Sequence, residues 1–174
     1  YDGTYLPDGR VIAISNIGYQ GVPCVNGDDA VGNMVLYNPK DKSMRRLTFD
    51  QDANWNPVIM NNGRVMYTRW EYTDLTHYYS RIVMHMNPDG TENKALYGSG
   101  AMFPNSTFDI QPLPGHGSAF VGIISGHHGV ARSGRMIIFD PTKGRKSTVG
   151  MVQEIPHRNR PIKDCLLYTS DAAD

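Results

Sequence analysis

Apolar residues along this chain fall in short runs, and nowhere do they recur at the spacing of an amphipathic helix. VIAIS at 11–15, MVLY at 34–37, VMYTRW at 65–70, RIVMHM at 81–86, FVGIIS at 120–125 and MIIF at 136–139 are four to six residues long. They are rich in β-branched, aromatic and methionine side chains and bounded by turn residues, which predicts strands. Three longer segments share one plan: NMVLYNPKDKSMRRLTF, SRIVMHMNPDGTENKALYG and GRMIIFDPTKGRKSTVG each hold an apolar strand, an Asn-Pro or Asp-Pro, a polar turn and a second short strand. Proline after Asn or Asp presets φ for a tight turn, so each segment predicts a hairpin. Prolines 39, 88 and 141 recur at intervals of 49 and 53, near the roughly 40 to 50 residues of a four-stranded propeller blade. Ahead of the hairpins stand LPDGRVIAIS, MNNGRVMYTRW and LPGHGSAFVGIIS. In the first two, Asp-Gly and Asn-Gly are strong hairpin turns, because glycine takes a positive φ without penalty.

Four strands per repeat predict an all-β fold, with Val-, Ile- and Met-rich inner strands and more polar outer ones. The fold expected is a β-propeller segment of three blades, about 4–50, 51–100 and 101–150, with a further blade starting at 151–164. Closed propellers need about four to eight blades. The chain, which opens on Tyr1, is therefore expected to be part of a larger protein with blades on both sides. A β-sandwich is the alternative, but it does not predict three Pro-turn hairpins in matched positions.

Composition narrows the partners. The chain is 40% hydrophobic and 20% charged, and no apolar run approaches the roughly 18 residues of a membrane span. Basic clusters are short, at Arg45-Arg46 and from Lys143 to Lys146, so the charge needed to attract nucleic acid is missing. The tail CLLYTSDAAD, Cys165 to Asp174, reads back through the genetic code as one frame of a transposon-end sequencing adapter, TGT-CTC-TTA-TAC-ACA-TCT followed by GAC-GCT-GCC-GAC. On that reading the natural sequence stops near Asp164, and the tail is excluded from fold reasoning. Removing it takes two of the 17 acidic residues and none of the 17 basic ones, leaving a net charge near +2. It also leaves Cys24 without a second cysteine in the segment, so no disulfide is expected within it.

The PDGR turn and the NPDGT hairpin resemble TolB-type propeller repeats. The series NNGRVMYTRWEYTD, HYYSRIVMHMNPDGT, YGSGAMFPNSTFDIQPLPGH, GIISGHHGVARSGRMIIFDPTKGR and VQEIPH resembles the propeller that forms the middle domain of hydrazine synthase alpha-subunit-like proteins. The resemblance implies a propeller lying between other domains of a large exported bacterial protein, periplasmic or extracellular, some of whose relatives carry c-type haems. The chain itself holds no C-x-x-C-H haem attachment motif. No cofactor is therefore assigned to its residues, and haem is an expectation for flanking domains alone. The partners implied are those flanking domains or another protein.

Candidate chemistry concentrates in two segments. In TRWEYTDLTHYYSR, Thr68 to Arg81, strand alternation would give Thr68, Trp70 and Tyr72 one face and Arg69 and Glu71 the other. Arg69, Trp70, Glu71, Asp74 and His77 are the candidate ligand- or partner-binding residues there, against the plainer reading of blade-mating aromatics and a structural Arg69–Glu71 pair. In SGHHGVARSG, Ser125 to Gly134, His127 and His128 lie between glycines. If propeller loops converge at one end of the channel, these histidines could meet Glu71 or Asp74, the carboxylate fixing an imidazole tautomer. A metal would need a further ligand of the type of His77, Glu71, Asp74 or His85, and no spacing of the H-E-x-x-H kind is present. Asp28-Asp29 reads as a solvated acidic turn in preference to a cation loop. No G-x-S-x-G, P-loop or dinucleotide fingerprint occurs, so no catalytic residue is assigned. Three functions remain: a scaffold and binding module, a wall of a haem or metal active site in flanking domains, or the propeller of a prolyl-oligopeptidase-like hydrolase.

Overall fold

The computed structural model of the chain describes residues 2–71, 81–101, 103–125, 134–157 and 162. The adapter-like tail, from Cys165 onward, lies outside them. The strands, in chain order, are β1 Gly3–Tyr5, β2 Val11–Ser15, β3 Asn33–Asn38, β4 Ser43–Arg46, β5 Asn54–Ile59, β6 Val65–Trp70, β7 Arg81–Met86, β8 Lys94–Tyr97, β9 Ser106–Pro112, β10 Phe120–Ser125, β11 Arg135–Phe139 and β12 Met151–Ile155. Each strand pairs antiparallel with the next inside three meanders, β1–β4, β5–β8 and β9–β12. One parallel pair, Arg81 with Ser106, links the second meander to the third. The first strands β1, β5 and β9 lie side by side.

The turns are those the sequence predicts. Gly9 and Gly63 carry φ of 87° and 79° in the β1–β2 and β5–β6 hairpins. The Pro39, Pro88 and Pro141 turns leave the third strand of each meander and lead toward its fourth. Asp89 Oδ1 accepts from Thr91 N at 3.0 Å, and Asp140 Oδ1 from Thr142 N at 3.1 Å, closing the side-chain half of two of these turns.

Two apolar cores hold the meanders together. Ile12, Ile14, Met34 and Leu36 of the first sheet pack against Val65, Tyr67, Ile82 and Met84 of the second. Met66 and Val83, one position along, face the other way and join Ile110, Phe120, Ile137 and Phe139 of the third. The middle sheet is thus covered on both faces, which suits the nearly continuous burial of its central strands β6 and β7. Phe120 and Phe139 stack at 4.7 Å, with Tyr97 edge-on to Phe139 at 4.9 Å.

One boundary differs from the sequence expectation. Met151–Ile155, expected to open a further blade, is the fourth strand of the third sheet, paired with β11. The short strand expected within GRKSTVG is only an isolated bridge, Lys146 with Val149. Packing decides the matter: Met151 enters the Phe139 core, and Glu154, 5% exposed, receives both Nε and Nη2 of Arg135, at 3.0 and 2.8 Å.

Because strands alternate direction, the β2–β3, β6–β7 and β10–β11 connections and the links between sheets all emerge at one end. The tight turns gather at the other, where Asn61 Nδ2 donates to the carbonyls of Leu113 and His116 at 2.7 and 2.6 Å.

Candidate functional site

The end carrying the long connections holds a cleft of about 510 Å³ between the first and second sheets. One side is the β2–β3 connection, which includes the 3-10 turn Pro23–Val25 and places Asp29 on the rim. The other side is the start of β5 and the facing ends of β6 and β7, which contribute Asn54, Trp55, Trp70 and Arg81. Asp2, just ahead of β1, completes the rim and accepts from Asn56 N through Oδ2 at 3.2 Å.

Trp55 and Trp70 stack with ring centres 6.2 Å apart, and Phe108 meets Trp55 edge-on at 5.9 Å. The Arg81 guanidinium lies over this aromatic group, 4.6 Å from the Trp70 ring centre, 5.7 Å from Trp55 and 6.0 Å from Phe108. Ring quadrupoles stabilise a cation so placed, most strongly for indole. Arg81 is 6% exposed and Asp52, whose charge it feels, 1%. Burial pushes the Asp52 carboxyl up to about 6; Arg81 opposes this, while Asp50 and Glu71 add to it. Among the described residues Asp52 Oδ1 meets no donor.

Beside the cleft runs a polar network. Asn54 Nδ2 donates to Asp50 Oδ2 at 3.0 Å and its Oδ1 accepts from Thr48 Oγ1 at 2.6 Å. Asp50 Oδ1 lies 3.3 Å from Arg69 Nε, and Arg69 Nη2 donates to Glu71 Oε1 at 3.2 Å.

The residues singled out in the sequence are only partly brought together. Trp70 lines the cleft, whereas Arg69 and Glu71 form the half-buried pair beside it. Asp74, His77, His127 and His128 lie outside the described residues. The stems of their two loops are neighbours, since Trp70 pairs with Arg81, Arg81 with Ser106, and Ser106 with Ser125. His85 is not brought here. It sits four residues along β7 from Arg81, toward the tight-turn end, with Nδ1 accepting from Arg64 Nε at 2.9 Å. Among the described residues, no group of three or more His, Cys, Asp or Glu side chains could hold a metal ion.

Sequence reasoning missed Asp2, Trp55 and Arg81 as partners of Trp70. The signal for Trp55 was rarity, since the chain has two tryptophans and both stand in this cleft. Arg81 closes the segment TRWEYTDLTHYYSR, but as its last residue it carried no separate signal.

Three four-stranded antiparallel meanders in series, mated through two cores and carrying their long connections at one end, are blades of a β-propeller, and the chain has that all-β fold. It is similar to the structure of Kuenenia stuttgartiensis hydrazine synthase, with a TM-score of 0.58 and 12% identity, over 76% of this chain and 20% of that one. A weaker likeness to the tricorn protease has a TM-score of 0.46 and 15% identity, over 80% of this chain and 11% of that one. The chain thus spans about a fifth of the hydrazine synthase chain it matches. No protein-family model and no curated protein matches it. Among the described residues no helix is long and apolar enough to cross a membrane.

Proposed function

We propose that the chain is a scaffold and binding domain of a larger exported bacterial protein of the kind that hydrazine synthase alpha-subunit-like proteins represent. Further blades complete its ring, three being too few to close one, and its neighbours are flanking domains or a partner protein. The end with the long connections is the binding end, and the cleft beside Trp70 is the observation that carries this reading. Loops on a rigid scaffold are where binding residues concentrate, and pockets that bind ligands are mostly apolar with a few convergent polar groups. On this reading Asp74, His77, His127 and His128 stay candidate ligand- or partner-binding residues.

Site-specific cross-linking in the full-length protein tests the assignment. A photoreactive side chain at Asp29, exposed on the cleft rim, is expected to give adducts with a neighbouring domain or partner. The same group at Asp89, in an exposed β7–β8 turn at the opposite end, is expected to give none. Adducts from Asp89 alone would reverse the assignment.

A further inference from the structure

Among the described lining residues, the charges exposed at the mouth of the cleft are negative. Asp2 and Asp29 stand exposed on the rim, and Asp28 beside them is exposed too. Arg81 is the cation among the described lining residues, but it is 6% exposed and lies against the faces of Trp70, Trp55 and Phe108. Its charge is also set against the buried carboxyl of Asp52. An anion would have to pass two carboxylates to reach a guanidinium already engaged. A cation meets those carboxylates first, then the half-buried Trp55, on an aromatic group that already accommodates one guanidinium.

The apolar part of the lining fits the rest of such a ligand. Ile14, Val22 and Val25 offer hydrocarbon against which a methylene stem can lie while its charged head stays near the rim. About 510 Å³ is ample for one long side chain with its flanking backbone. We propose that the cleft receives a basic side chain, a guanidinium or ammonium on an apolar stem, presented by a polypeptide segment of a partner or neighbouring domain. The proposal rests on the reading of this end as the binding end.

Tryptophan emission gives the test a direct readout, because both tryptophans of the chain line the cleft. Titrating the chain with N-acetyl-arginine amide is expected to change the emission saturably. The uncharged citrulline analogue and N-acetyl-glutamate amide should not do so. The double variant Asp2→Asn, Asp29→Asn should bind the arginine probe about fivefold to tenfold more weakly, the scale of two exposed ion pairs. Raising salt from about 0.05 to about 0.5 M should weaken wild-type binding in the same direction. Both positions are exposed, and Asn at position 2 keeps an acceptor for Asn56 N, so the melting temperature should be unchanged. No saturable response to arginine, an equal response to citrulline, or an affinity indifferent to the double variant would overturn the proposal. Preference for the glutamate probe would overturn the cation while leaving a binding end, whereas cross-links from Asp89 alone would remove the binding end itself.

Discussion

Asp52 is buried and His85 partly buried, each where its charged form is disfavoured, and their effects on stability run in opposite directions. Burial raises Asp52 to about 6, while an unfolded aspartate titrates near 3.9. Between about pH 4 and 6 the folded chain therefore keeps a proton that the unfolded chain has lost, and this component of stability falls as pH rises. Burial lowers His85 to about 4, helped by Arg64, Lys94 and Arg145, against about 6.5 unfolded. Over about pH 4 to 6.5 the unfolded chain holds the extra proton, so this component rises with pH. The two oppose each other in the wild type. Asp52→Asn should expose the His85 component, with stability rising across the window by up to about 1.4 kcal/mol per pH unit. His85→Gln should expose the reverse slope. Urea denaturation at three pH values in the window measures both, and slopes of the same sign in the two variants would contradict the assignment.

The third sheet shows how an element is fixed by its contacts. β12 is held to β11 by the bidentate Arg135–Glu154 pair, whose side chains are 11% and 5% exposed. Glu154→Ala would leave the arginine charge poorly solvated, and a cost of about 3 to 5 kcal/mol is expected. Arg135→Met with Glu154→Leu should recover most of that loss, because a packed apolar pair avoids the desolvation of two ions. Chemical denaturation of the single and double variants distinguishes these outcomes. The turn leading into β12 depends on Gly150, where φ is +98° and an added Cβ would come within 2.2 Å of the Gly144 carbonyl oxygen. Gly150→Ala is expected to cost about 2 kcal/mol, a drop in Tm of roughly 4 to 8 °C in a chain of this size.

At the scale of the molecule, the middle sheet is buried on both faces while the first and third each present an outer one. Tyr5 is 78% exposed and Met44 52%; Met136 and Ile155, paired neighbours on the third sheet, are 41% and 38% exposed. Such rows are what neighbouring blades bury, and a chain extended by the further blades proposed above should melt several degrees higher, since stability in repeat arrays grows with each mated interface. Met136→Lys sharpens the test. It should be nearly neutral in the present chain and cost about 2 kcal/mol or more once a blade covers the third sheet. Equal effects in both contexts would show that this face stays open to water.

Short apolar runs bounded by turn residues marked most of the strands in the sequence, because side-chain type and the turns that end a run are local and need no partner to be read. Pro39, Pro88 and Pro141 marked one hairpin in each repeat for a similarly local reason, their φ being fixed by the ring. The edge of the third blade was not local. Glu154 is charged and Val152 is 42% exposed, so VQEI carried little strand signal, and β12 was placed only by its pairing with β11 and by Arg135. The candidate site divides in the same way. Trp70 was legible as an aromatic at a strand end before a polar loop. Its company was not: Arg81 reaches it from the neighbouring strand β7, and Asp2 and Asp29 approach from the first sheet. Contacts between residues tens of positions apart are decided by how blades mate, and only the tertiary structure holds that information.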